Sequence, residues 1–127
     1  MSAIIKDVPE GEYIVDIVEM QTSVDHKNRK VVSWMLKIVE GPYADSFLRK
    51  TYYVVNAKAA ESLKKELLLV GINANDSNDF EAKKTLAYGK RIKISAVTND
   101  QGFQVFYVKE VVGMGETVKP PSEIVGW

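Results

Sequence analysis

The chain has 127 residues, 46% hydrophobic and 27% charged, with 17 basic and 17 acidic side chains balancing to zero. That profile fits one domain with a real core and excludes fibrous and disordered classes. It holds no cysteine, which removes disulfide frameworks, thiolate nucleophiles and Cys-built zinc sites and fits a reducing cytoplasm. Neither a basic start followed by an apolar run nor a stretch of roughly 20 apolar residues is present, so no signal peptide or membrane partner is expected and the location implied is cytoplasmic.

The first predicted strand covers 11–20, GEYIVDIVEM, rich in β-branched residues after a Pro-Glu-Gly turn. A polar loop, QTSVDHKNRK, follows over 21–30. The stretch 29–56 reads as two strands around a Gly41-Pro42 turn. In the first of these, Val32, Trp34, Leu36 and Ile38 share one face, while Ser33, Met35 and Lys37 share the other. The first face is the expected core, with Trp34 inside it, and the second a candidate working surface. The next strand, 46–55, sets Arg49, Thr51 and Tyr53 against Lys50, Tyr52 and Val54, and burial of Leu48, Tyr52 and Val54 is the preferred reading.

Asn56 is an N-cap for a helix over about 57–70, where Ala60, Leu63, Leu67 and Val70 recur at helical spacing and Gly71 ends the run. A shorter helix is expected around 80–88, after the polar INANDSND. A fourth strand at 91–97 buries Ile92, Ile94 and Ala96, and a TNDQG turn leads to a fifth over 103–112. The expected organisation is one domain over 1–112 and a C-terminal tail over 113–127.

Three strands, a helix and two strands is the order of the OB-fold, a five-stranded Greek-key barrel with its helix between strands three and four. The expectation is therefore all-β, with one main helix. The runs EGEYIVDIVEM, WMLKIVEGPYADSFLRKTYYVVN, LLLVGI and YGKRIKISAV resemble a largely uncharacterised family of phage- and prophage-encoded proteins regarded as OB-fold single-stranded-DNA binders. The resemblance spans about 9–112 and rests on the GEY strand, the GPY turn and the GK before strand four. It implies the barrel and single-stranded DNA as partner.

No catalytic constellation assembles. His26 is the only histidine, and Asp16 and Glu19, three apart on a strand, are expected on opposite faces. NANDSND lacks the glycine and closing glutamate of a calcium loop, and Pro120-Pro121 excludes a dinucleotide helix after Gly113-Met114-Gly115. The expectation is a binding protein, not an enzyme, with no cofactor and no metal.

Charge is uneven along the chain: 26–50 stands at +4 and 89–109 at +3, against −5 over 1–25. On a barrel, the ligand face is strands two and three with the loops joining strands one to two and four to five. The candidate phosphate contacts are Lys27, Arg29, Lys30, Lys37, Arg49, Arg91 and Lys93, and the candidate stacking platforms Tyr53, Phe103 and Tyr107. The function expected is sequence-independent single-stranded DNA binding in phage replication or recombination; the alternatives are a protein-interaction module on the same barrel and an RNA-binding barrel. The tail ends in SEIVGW. It is expected to be mobile, and to dock replication or recombination proteins, to pack on this domain or on a second copy in a homo-oligomer, or to have no role.

Overall fold

Each run of alternating or β-branched residues becomes a strand. The computed structural model describes residues 4–5 and 8–115. It contains β1 (Gly11–Val24), β2 (Lys30–Ile38), β3 (Phe47–Val54), α1 (Ala57–Leu69), α2 (Ser77–Lys83) with a 3-10 turn at Lys84–Ala87, β4 (Lys90–Thr98) and β5 (Gln104–Met114). The strands form one antiparallel sheet in the order β3-β2-β1-β4-β5. Central β1 serves two partners: Gly11 to Asp16 pair with β4, and Val15 to Val24 with β2.

The core lies on one face of this sheet. Val15, Ile17 and Met20 of β1 meet Trp34, Leu36 and Ile38 of β2, Leu48 of β3, Ile92 and Ile94 of β4 and Phe106 and Val108 of β5. Leu63 and Leu67 of α1 and Phe80 of α2 pack onto the same cluster. Asn56 caps α1, its side chain accepting from the Ala59 N–H at 2.8 Å, and Gly71 stops it in the left-handed region at φ +89°. The NANDSND loop contributes the cap of α2, since Asp76 accepts from the Asp79 N–H at 2.8 Å.

β3 follows its expected facing: Leu48 is buried, Tyr52 and Val54 are half-buried, and Arg49, Thr51 and Tyr53 are exposed. The second face of β2 does not. Ser33 and Met35 are buried, and Met35 joins Val18, Phe47 and Ile4 in a separate cluster, so the candidate working surface on this strand is largely covered. The bridge between Ile4 and Phe47 brings the lead-in chain over it. A bulge between Ile17 and Glu19 corrects a second expectation. Asp16 lies opposite Lys37 and Glu19 opposite Met35, which places both acids on one face, because an extra residue in a strand reverses its alternation.

β5 runs to Met114, and the Gly115 N–H donates to the Gly89 carbonyl at 2.6 Å, so the sheet extends into the stretch read as tail. The expectations for the terminal segment fall on 116–127, outside the described residues.

Among the described residues, no backbone ladder joins the outer strands β3 and β5. Side chains span the gap. The Lys50 ammonium, 5% exposed, donates to the Phe106 carbonyl and lies 3.0 Å from the Glu66 carboxylate of α1. Glu66 also accepts from the Tyr52 hydroxyl and, at 2.7 Å, from the Val108 N–H. Near the other end of the gap, the Gln104 amide pairs with both backbone groups of Val8, at 2.8 and 2.6 Å.

Candidate nucleic-acid interface

A groove of about 690 Å³ lies between the exposed side of β3 and the start of β5. Its lining brings together Lys27 and Arg29 from the β1–β2 turn, Arg49, Lys50, Thr51 and Tyr53 from β3, and Asn99, Gln101 and Phe103 from the β4–β5 turn. No Asp or Glu is among the described lining residues. Two of its cations are paired with carboxylates outside the lining, Arg29 with Asp25 and Lys50 with Glu66, and basic groups beside exposed rings make a surface suited to a polyanion carrying flat bases.

Both turns are built alike. In the first, the Asp25 carboxylate accepts from the N–H groups of Lys27 and Arg29, each at 2.9 Å. The Asp25 N–H reaches the Arg29 carbonyl at 3.0 Å, and Asn28 is left-handed at φ 63°. In the second, the Asn99 side chain accepts from the N–H groups of Gln101 and Phe103, each at 3.0 Å. The Asn99 N–H reaches the Phe103 carbonyl at 2.8 Å, and Gly102 is left-handed at φ +84°. Short Asx side chains that capture nearby backbone donors, followed by Asn or Gly able to take positive φ, produce this shape.

Arg29 is fixed from two sides, its Nε 2.7 Å from Asp25 Oδ2 and its guanidinium carbon 4.6 Å from the Tyr53 ring centre. The Arg29 backbone N–H, with the guanidinium and the Lys27 N–H, holds the Asp25 carboxyl below the usual carboxylate range. At the floor, burial lowers the Lys50 ammonium against the opposing pull of Glu66. Burial first, and then the Glu66 carboxylate, push the Tyr52 hydroxyl far up, so it stays protonated and donates.

Of the ten sequence candidates, Lys27, Arg29, Arg49, Tyr53 and Phe103 line this groove. Tyr53, Phe103 and Tyr107 are 48%, 64% and 51% exposed, with one face of the Tyr53 ring taken by the Arg29 guanidinium. Tyr107 follows the groove residue Phe106, its ring centre 5.9 Å from the Lys50 ammonium. The remaining four are elsewhere. Lys30 lines a different hollow with Val54, Lys64 and Phe80. Lys37 lies 3.5 Å from Asp45 and Lys93 3.4 Å from Glu110. Arg91 forks onto buried Asp16 at 2.7 and 3.1 Å.

Sequence reasoning passed over Asn99, Gln101 and Thr51 as lining residues and Asp25 as the organiser of a turn. The signal was present in the paired patterns DHKNR and NDQGF, each opening on Asx with Asn or Gly three positions later. Among the described residues, no group of three or more His, Cys, Asp or Glu could hold a metal ion, and no helix is long and apolar enough to cross a membrane. No protein-family model and no curated protein matches the chain.

Proposed function

We propose that this chain is an OB-fold protein of the phage or prophage type that binds single-stranded DNA without sequence preference, during replication or recombination in the host cytoplasm. The observation that carries the reading is the groove, with Lys27, Arg29 and Arg49 beside the exposed rings of Tyr53 and Phe103 and no described acid in its wall. Lysine and arginine exchange condensed counterions for phosphates, and an aromatic ring stacks on any base, contributing roughly 1–3 kcal/mol each. Zero net charge is compatible with this, because the local field in the groove steers a strand.

The barrel reading is supported by the strand order and by the seam between the outer strands. Lys50 meets Phe106, and two residues on Tyr52 meets Val108 through Glu66. The two edges therefore run parallel, the course a five-stranded Greek-key barrel takes as it closes. The groove lies over this seam, between the turns that follow strands one and four, where barrels of this kind take their ligands.

Fluorescence titration with oligo-dT, oligo-rU and a matched duplex at two salt concentrations tests the proposal. The expected result is preference for the DNA single strand and affinity that falls modestly with salt, since the groove offers only a handful of cations. Preference for duplex, or binding indifferent to salt, would sink it. Tighter binding of oligo-rU would move the reading to RNA, and no binding of any of the three would leave the groove to a protein ligand.

A further inference from the structure

The two turns at the groove rim share one backbone geometry and differ in what they present. Counting from the Asx residue, the third and fifth positions are Lys27 and Arg29 in one turn and Gln101 and Phe103 in the other. All four side chains line the groove. In both turns, the N–H groups of these positions are the ones held by the Asx oxygen. The device that shapes the tip thus also fixes the two residues that face the ligand.

On the reading given above, we infer that the two turns divide one single strand between them. The β1–β2 turn takes phosphate through Lys27 and Arg29, and the β4–β5 turn takes a base through Phe103, with Gln101 beside it. Asp25 and Asn99 are the positioning residues. A cation recognises phosphate as charge and geometry whatever base follows, whereas a phenyl ring, uncharged and 64% exposed, has nothing to offer a phosphate and a face to offer a base. Asp25 has a second effect. Its Oδ2 lies on the Arg29 guanidinium and partly offsets the charge that the phosphate would meet.

Double-mutant cycles on the full chain test this, with oligo-dT and an abasic oligodeoxynucleotide of equal length as probes. Phe103→Ala weakens oligo-dT binding by roughly fivefold or more, the equivalent of one stacked base. Asn99→Ala weakens it too, and adds nothing in the Phe103→Ala background, because it acts through that ring. Neither change affects the abasic probe. Arg29→Ala weakens both probes, and Asp25→Ala, which acts through Lys27 and Arg29 together, adds nothing in the Lys27→Ala, Arg29→Ala background. Asp25→Asn keeps the accepting oxygen and removes the charge, so it binds at least as tightly as the wild type. Should Asn99→Ala fail to fold, Asn99→Asp installs the acceptor native to the first turn, and Phe103→Ala must cost as much in that background as in the wild type. Additive cycles, abasic binding that falls with Phe103→Ala, or Asp25→Asn behaving like Asp25→Ala would overturn the division of labour while leaving single-strand binding intact. A wild-type chain that binds neither probe removes both proposals.

Discussion

Lys50 shows how much one side chain decides. A lysine at 5% exposure is tolerable only because Glu66 lies 3.0 Å away and the Phe106 carbonyl accepts a hydrogen bond from it. Glu66 in turn receives the Tyr52 hydroxyl and the Val108 N–H, so three elements meet at one carboxylate. Lys50→Met leaves that carboxylate buried without its cation and should cost about 3–5 kcal/mol in urea unfolding. Adding Glu66→Gln, which retains an acceptor but no charge, should recover part of the loss. A Lys50→Met variant as stable as the wild type would show that the seam does not depend on this pair. The lowered Lys50 value also has a sign. Between that value and the ordinary lysine value, the unfolded chain holds a proton that the folded chain has released, so this group makes stability rise with pH across that window.

At the scale of elements, α1 is held by its N-terminal cap and its buried stripe. Its first turn contains no acidic residue and its last turn no basic one, so the macrodipole has little help from side chains. Asn56 therefore carries the N-terminal end almost alone, through its 2.8 Å bond from Ala59. Asn56→Ala should lower stability by about 1 kcal/mol, and Asn56→Asp, which keeps the acceptor and adds a charge at the positive end, should match or exceed the wild type. Thermal melts of the two variants check this; equal melting temperatures would show that Leu63 and Leu67 alone fix the helix. Glu66, near the other end of the helix, reaches the seam between β3 and β5.

For the whole molecule, position relative to the groove sorts the cations. Arg49 lines it, whereas Lys93 lies on β4 and is not among the lining residues. Arg49→Ala should weaken oligo-dT binding and flatten its salt dependence, while Lys93→Ala should change neither. Exposed Arg49→Ala should stay within about 0.5 kcal/mol in stability, and half-buried Lys93→Ala, which loses its pairing with Glu110, within about 1 kcal/mol. Titrations at two salt concentrations decide, and equal losses for the two variants would mean that the ligand spreads well beyond the groove.

Much of this protein was legible in its residues, because strands, helices and turns are dictated locally. The alternation of Val32, Trp34, Leu36 and Ile38 fixed one face of β2, Asn56 and Gly71 bracketed α1, and Gly41-Pro42 marked the turn between β2 and β3. Five of the ten candidate ligand residues also line one groove; strand parity sets the side of β3 that carries Arg49 and Tyr53, while the meeting of the two turns beside it is tertiary. The rest depended on which surfaces meet. Alternation along β2 cannot reveal that Ile4, far off in sequence, covers Met35. A bulge in β1 reverses the facing of Glu19, which no period-two reading anticipates. The charge run 26–50 holds six bases, yet Lys50 points inward to Glu66 and Lys37 lies beside Asp45. Whether a cation is available or already matched is a property of its neighbours in space. Local chain chemistry determined the elements and their order, and tertiary packing alone decided which side of each remained open.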